Sequence, residues 1–220
     1  MGSDGTAARR VPGGSRMHVT IFDYGAGNLH SLAKAIERAG VDVRVEADPV
    51  RAVEADALVL PGVGAFGAAA ERLAPGREAM RDAVAHGLPA LGICLGMQLL
   101  FDASDEGAGA GLGLIPGHVS RLRAVRVPQI GWNTIDDARD SLFDAAPLPI
   151  AYYANSFVCR PEDPSSVIAW SEHEGDRFPA AVRAGTAVGV QFHPEKSSVD
   201  GVRLLHAFLG EARARSGIRR

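Results

Sequence analysis

Cysteine is scarce in this sequence: Cys94 and Cys159 are the two in 220 residues, and their surroundings differ. That argues against a disulfide framework. With neither a Cys-x-x-Cys pair nor closely spaced histidines, no metal site is expected, and no motif calls for a cofactor. Long hydrophobic runs are also missing, so no segment has the roughly 18 uncharged apolar residues needed to cross a bilayer. The first 16 residues, MGSDGTAARRVPGGSR, lack the apolar stretch of a secretory signal. They read as a disordered N-terminal extension (1–16) before a domain that begins at Met17, and the cytoplasm is the default compartment. A strong charge imbalance is absent too: a formal net charge of −3 gives no general pull toward nucleic acid or anionic membrane. The basic C-terminal stretch ARARSGIRR reads as ending in a short solvated tail, residues 214–220.

What is present suits one domain. A hydrophobic content of 46% and a charged content of 22% are ordinary for a globular chain, and the length allows a sizeable core. HVTIFDY (18–24) reads as a buried strand, followed by GAGN and a helical LHSLAKAIERAG that stops at Gly40. DVRVEA is a second strand. ALVL (57–60) is a third, running into the Pro/Gly-rich turn of PGVGAF; GREAMRDAVAHG is the next helix and PALGIC the next buried strand. Apolar strands alternating with helices predict a parallel sheet covered on both faces. After about residue 112 the pattern turns to β segments separated by turns, and one helix over roughly 200–213 closes the chain. The expected fold is a single α/β domain, residues 17–213, with a mostly parallel central sheet flanked by helices and antiparallel additions in the C-terminal half.

The stretch PALGICLGMQ carries the chemistry. Gly92-Ile93-Cys94-Leu95-Gly96 fits the strand-to-helix elbow that exposes a nucleophile, with glycines two residues to either side avoiding side-chain clashes. The following helix N-terminus favours an anion there. The alternative is a buried core thiol, because free cysteine is often buried. Cys159, in SFVCRP, has no elbow and reads as structural. Of seven histidines, His193 in VGVQFHPEKSS ends an apolar strand and precedes Pro194, which favours extended geometry. In extended chain Glu195 shares its side and can orient its ring; a surface His–Glu pair is the plain alternative. A tetrahedral intermediate needs N–H donors, and candidates are the amide of Leu95 and the loop PGVGAF (61–66), where Gly62 and Gly64 free the backbone around Val63. An ordinary turn explains that loop equally well. Carboxyl ends of parallel strands share one sheet edge, which brings the three features together.

At this point GICLGMQLL, PGVGAF and QFHPEKSS, in that order, resemble a class I glutamine amidotransferase domain. DYGAGNLHSL, IGWN and HPEKSS narrow the resemblance to the glutaminase subunits of imidazole glycerol phosphate synthase, over about residues 17–212. The resemblance implies hydrolysis of L-glutamine to glutamate and ammonia. Cys94 is then the nucleophile, His193 the proton shuttle and Glu195 its orienting group. By family position Gln98 and Glu106 hold the α-amino and α-carboxylate ends of glutamine, beside the backbone of Ser156 and Phe157. Where the family usually has histidine this chain has Asn155, so no side-chain role carries over there. The implied partner is a (β/α)8-barrel cyclase subunit that receives ammonia in L-histidine biosynthesis, in a heterodimer. Asn28, Trp132, Tyr152 and Lys196 match interface positions, and an ordinary solvated lysine is the alternative for Lys196. A resting PGVG loop with the Val63 amide turned away would limit futile hydrolysis.

Three rivals remain open. Another amidotransferase glutaminase, such as that of pyridoxal phosphate synthesis, typically carries PGGES in place of PGVGAF. A catalytically silent docking module would be favoured by loss of Cys94, His193 or Glu195, all of which are present. DYGAGNLH follows a strand and opens a helix but lacks the third glycine of a dinucleotide fingerprint and the G-K-[ST] of a P-loop. Asn28 as a helix cap accounts for it more simply.

Overall fold

The computed structural model describes residues 16–25, 27 and 29–216. The expected N-terminal extension up to residue 15, the end of the basic tail and Asn28 lie outside the described residues.

In chain order the first half contains β1 (His18–Phe22), α1 (His30–Glu37), β2 (Asp42–Glu46), a one-turn α2 (Pro49–Ala52) and β3 (Ala57–Leu60). It continues through α3 (Phe66–Leu73), α4 (Arg77–Ala85), β4 (Ala90–Ile93) and a one-turn α5 (Leu95–Gln98). Then come β5 (Ala103–Ser104), β6 (Gly117–Arg121), β7 (Gln129–Thr134), α6 (Ser141–Ala145), β8 (Ile150–Asn155) and β9 (Phe157–Pro161). The chain ends in β10 (Val167–His173), β11 (Asp176–Ala184), β12 (Ala187–Val190) and α7 (Ser198–Ser216).

The central sheet has the order β10-β11-β12-β4-β3-β1-β2. The five strands from β12 to β2 are parallel, and β11 and β10 extend the sheet antiparallel. Strand alternation divides the core into two layers. Ala57 and Val59 of β3 face a cluster with Ile36 of α1 and Leu205 and Phe208 of α7. Leu58 and Leu60 face the opposite cluster with Phe66 and Leu73 of α3 and Met80 of α4. An all-apolar strand is what this two-sided burial requires. At the edge, β2 is only partly covered and keeps Arg44 and Val45 exposed.

Two departures from the sequence reading bear on the site. PGVGAF runs directly into α3, a helix the Gly/Pro signal of the turn concealed. Its core face is Phe66, Ala69, Ala70 and Leu73, the i, i+3, i+4, i+7 stripe of an amphipathic helix built largely from alanine. The closing helix also runs beyond residue 213 to Ser216, so the described start of the expected tail is helical. Outside the main sheet, β6 pairs with β5 and β9, and β7 and β8 form an antiparallel ladder with Trp132 opposite Tyr152. Among the described residues no helix is long and apolar enough to cross a membrane.

The chain leaves β1 toward β2, then returns through β3 to the other side of β1 and on to β4. Beyond that reversal the carboxyl ends of β3, β4 and β12 lie side by side. This is where open α/β sheets place their ligands.

Candidate active site

Immediately after β4 the backbone turns sharply: Cys94 adopts φ 49° and ψ −105°. For a residue with a side chain such a conformation costs about 1–3 kcal/mol, so the surroundings must enforce it. The flanking glycines show how. A Cβ on Gly92 would meet the Gly96 carbonyl oxygen at 2.4 Å, and one on Gly96 would meet the Leu60 carbonyl oxygen at 2.0 Å. The turn is therefore wedged against the end of β3 at a separation that excludes any larger residue. Its peptides are pinned as well: the Cys94 N–H donates to the Val190 carbonyl at 2.7 Å, and the Cys94 carbonyl accepts the Gln98 N–H at 3.1 Å. Because α5 is a single turn, its dipole is smaller than the sequence pattern suggested.

His193 stands beyond the end of β12, the parallel neighbour of β4. Its Nδ1 lies 3.0 Å from Oε1 of Glu195, and both side chains are nearly shut off from solvent, at 2% and 10% exposure. The pairing expected from extended-chain alternation exists but arises differently. His193 itself is extended, whereas Pro194–Lys196 form a 3-10 turn that swings the Glu195 carboxylate back onto the ring. Burial alone would lower the His193 pKa. Hydrogen bonds to Cys94 and Glu195 and the charges of those two groups outweigh it and push the value up to about 9. The surroundings thus favour the imidazolium form of a ring set between a carboxylate and a sulfur. Its backbone is fastened by the His193 N–H to the Tyr152 carbonyl at 2.8 Å and by the buried Ser197 hydroxyl donating to the His193 carbonyl at 2.7 Å.

These groups open into a cavity of about 300 Å³. Cys94, Leu95 and His193 line it together with Gly62, Val63 and Gly64. A Cβ on Gly62 would come within 2.9 Å of the His193 Cε1 and 3.1 Å of the Cys94 Cβ, so this loop packs directly on the pair; Gly64 has φ 128°. Gln98, Glu106, Ser156 and Phe157 line the rest, together with Asn155 and Lys196. The Gln98 amide and the Asn155 amide both donate to the Phe157 carbonyl at 3.2 Å, which fixes the strand β9 side of the pocket. Glu106 Oε2 accepts the Phe66 N–H at 2.8 Å, capping α3 where no capping side chain precedes it. A pocket carboxylate is thereby tied to the end of the PGVGAF loop. Glu195 sits behind the histidine, on a second cavity of about 160 Å³ that Gly62, Val63 and Lys196 also border.

Trp132 and Tyr152 are not in the cavity. They pair edge-to-face on the β7–β8 ladder with ring centroids 6.2 Å apart, and Trp132 is 52% exposed. Tyr152 still touches the site through its backbone, since its N–H donates to the Ser197 hydroxyl at 2.9 Å while its carbonyl holds His193. Two buried residues escaped the sequence reading. Ser197, in the same HPEKSS stretch, anchors the histidine turn. Gln191 directs its side-chain Nε2 to the Cys94 sulfur at 3.5 Å. A sequence signal for Gln191 is its polarity within the otherwise apolar run VGVQF.

An elbow cysteine beside a buried His–Glu pair, opening into a cavity, is an arrangement that can carry out nucleophilic hydrolysis. Residues 20–211 match the glutamine amidotransferase class-I family model, and the chain belongs to that family. It is 44% identical over 201 residues to an imidazole glycerol phosphate synthase subunit HisH from Halobacterium salinarum, covering 87% of this chain and 92% of the relative. Identity to the HisH subunit of Symbiobacterium thermophilum is 46% over 193 residues, covering 85% and 91% of the two chains. Within the class, then, the chain groups with the glutaminase subunits of imidazole glycerol phosphate synthase. The fold also matches a solved glutamine amidotransferase with a TM-score of 0.69 at 20% identity, over 88% of this chain and 98% of the other.

Proposed function

We propose that the chain hydrolyses L-glutamine through Cys94, His193 and Glu195, as the glutaminase subunit of an imidazole glycerol phosphate synthase. The Cys94 sulfur attacks the side-chain amide carbon. The resulting oxyanion is met by the Leu95 N–H and by an N–H of the Gly62–Val63 segment. His193 protonates the departing nitrogen, releasing ammonia and leaving a γ-glutamyl thioester. It then takes a proton from water, which cleaves the thioester to glutamate and restores the thiol. Glu195 keeps the imidazole oriented through Nδ1. Gln98 and Glu106, with the backbone of Ser156 and Phe157, hold the amino-acid end of the substrate.

The observation that carries this reading is the wedged elbow: a strained cysteine backbone, enforced by two glycines, beside a buried His–Glu pair on a substrate-sized cavity. Class membership supports the substrate, and the HisH relatives support the place of the reaction in histidine biosynthesis. We infer that ammonia passes to a separate cyclase subunit in a heterodimer, docked over Trp132, Tyr152 and Lys196, with Asn28 as a further contact. Ammonia set free in neutral water is mostly protonated and no longer nucleophilic, which gives direct transfer its chemical reason. Docking would also turn the Val63 amide toward the oxyanion. Two unpaired cysteines agree with a cytoplasmic setting.

The test is glutamate release from L-glutamine by the chain alone and with a cyclase subunit and its nucleotide ligand. The reading expects release that rises by orders of magnitude in the complex and vanishes in Cys94→Ala. Equal rates with and without the cyclase would remove the coupling, and undiminished activity in Cys94→Ala would remove the nucleophile.

A further inference from the structure

Gln191 is fully buried, yet it is a polar residue on a strand end built from apolar ones. Its backbone N–H donates to the Ala180 carbonyl at 2.9 Å, continuing the β11–β12 ladder past Val190. Phe192, the next residue, enters the core layer shared with α7, and the Gln191 side chain turns toward the elbow. There its Nε2 reaches the Cys94 sulfur at 3.5 Å, a normal length for an N–H···S contact. Its Oε1 is buried without a hydrogen-bond partner among the described residues. An unsatisfied amide oxygen of this kind costs about 1–3 kcal/mol, and methionine would fill the same volume without that cost. Packing therefore does not account for a glutamine here.

The sulfur has a second neighbour of opposite character. The Ala154 carbonyl lies 4.0 Å from Sγ, positioned to accept from a thiol S–H. A carbonyl oxygen repels the thiolate, so the reactive form needs a donor on another side. Resting on Cys94 being the nucleophile, we propose that Gln191 is a positioning residue that donates its side-chain N–H to the Cys94 sulfur, offsets the Ala154 carbonyl and sets the thiolate's reactivity. The remaining titratable groups near the sulfur do not take this role. His193 also donates to the sulfur, but its proton is given up to the departing nitrogen, whereas an amide N–H is retained throughout. The Tyr24 phenol and the Cys159 thiol are both held well above their ordinary pKa values by burial and stay neutral. Glu106 and Lys196 line the outer cavity. Gln191 supplies a donor that neither titrates nor moves with the substrate.

The test is the pH dependence of Cys94 alkylation by iodoacetamide in the full-length chain without glutamine, read by peptide mass spectrometry so that Cys159 is scored separately. Gln191→Met removes the donor at nearly constant volume. Gln191→Asn keeps the amide but withdraws it by one methylene. In both, the pH of half-maximal alkylation should rise by about one unit, the size expected for one lost hydrogen bond to an anion. Glutaminase kcat should fall roughly tenfold to a hundredfold while KM stays within about twofold. If Gln191→Met does not fold by circular dichroism, Gln191→Asn decides. A folded variant with an unmoved alkylation profile overturns the proposal even if kcat falls, and so does the failure of both variants to fold, which would make Gln191 a core element. Because alkylation needs no turnover, this outcome is separate from that of Cys94→Ala, on which the nucleophile assignment stands or falls.

Discussion

Cys94 and Cys159 are both free and both buried, at 6% and 0% exposure, so accessibility scarcely separates them. Their backbones do. Cys159 lies in β9 opposite Val119 of β6, in regular strand geometry, with its sulfur among apolar residues and its pKa raised well by burial. Cys94 sits one residue past a strand end, in a conformation that glycines on either side allow, with an amide, a carbonyl and an imidazole around its sulfur. A thiol becomes a candidate nucleophile through what the chain bends toward it, and burial serves that end by keeping water from the partners.

The sharpest way to break this comparison is to delete each sulfur in turn. Cys94→Ala should lower glutamate release by about 10⁴-fold or more, whereas Cys159→Ala should leave it within about threefold. Comparable losses in both would mean that the elbow confers nothing. Next in size is the wedge itself. Gly96→Ala puts a Cβ 2.0 Å from the Leu60 carbonyl oxygen and should destabilise by about 4 kcal/mol or more, read by urea titration. A loss under about 1 kcal/mol would show that the turn has room to spare.

Glu195→Gln should lower kcat by roughly a hundredfold and shift the alkaline limb of the kcat/KM profile, set by a His193 pKa of about 9, to lower pH. The direction follows from removing a carboxylate that favours the imidazolium. The same shift bears on stability. The folded state raises the His193 pKa above its ordinary 6.5, so the stabilisation is complete below about pH 6.5 and is lost as pH rises toward 9. The fall in Tm over that interval should therefore be smaller in His193→Ala than in the unaltered chain. The smallest effect is a contrast with the elbow. At Gly210, inside α7, a Cβ would have nothing within 4 Å, and Gly210→Ala should stabilise by about 0.5–1 kcal/mol in the same urea titration.

The parallel half of the fold was legible because its strands are apolar throughout and its turns are marked by glycine and proline. The elbow was legible because Gly92 and Gly96 are required by contacts that no other residue tolerates, so the constraint is written in residue identity. Helix α3 was not, because three of its residues are alanines and a Pro/Gly turn precedes it. Neither was the adjacency of β4 and β12: it joins segments about a hundred residues apart and is decided by packing. The His193–Glu195 contact was anticipated, but by strand alternation, whereas a 3-10 turn makes it. Gln191 and the capping of α3 by Glu106 depend on side-chain reach across strands, which spacing along the chain does not encode. Asn28 stands outside the described residues, and Trp132 and Tyr152 were placed by resemblance and are found on an exposed ladder joined to the histidine turn through Tyr152 and Ser197.

The most direct measurement is covalent labelling of the full-length chain with a chloroketone analogue of L-glutamine, followed by peptide mass spectrometry and residual glutaminase activity. The account predicts one adduct per chain, on Cys94 alone, prevented by excess L-glutamine and accompanied by complete loss of activity. Labelling at Cys159, or full activity with Cys94 modified, would contradict it.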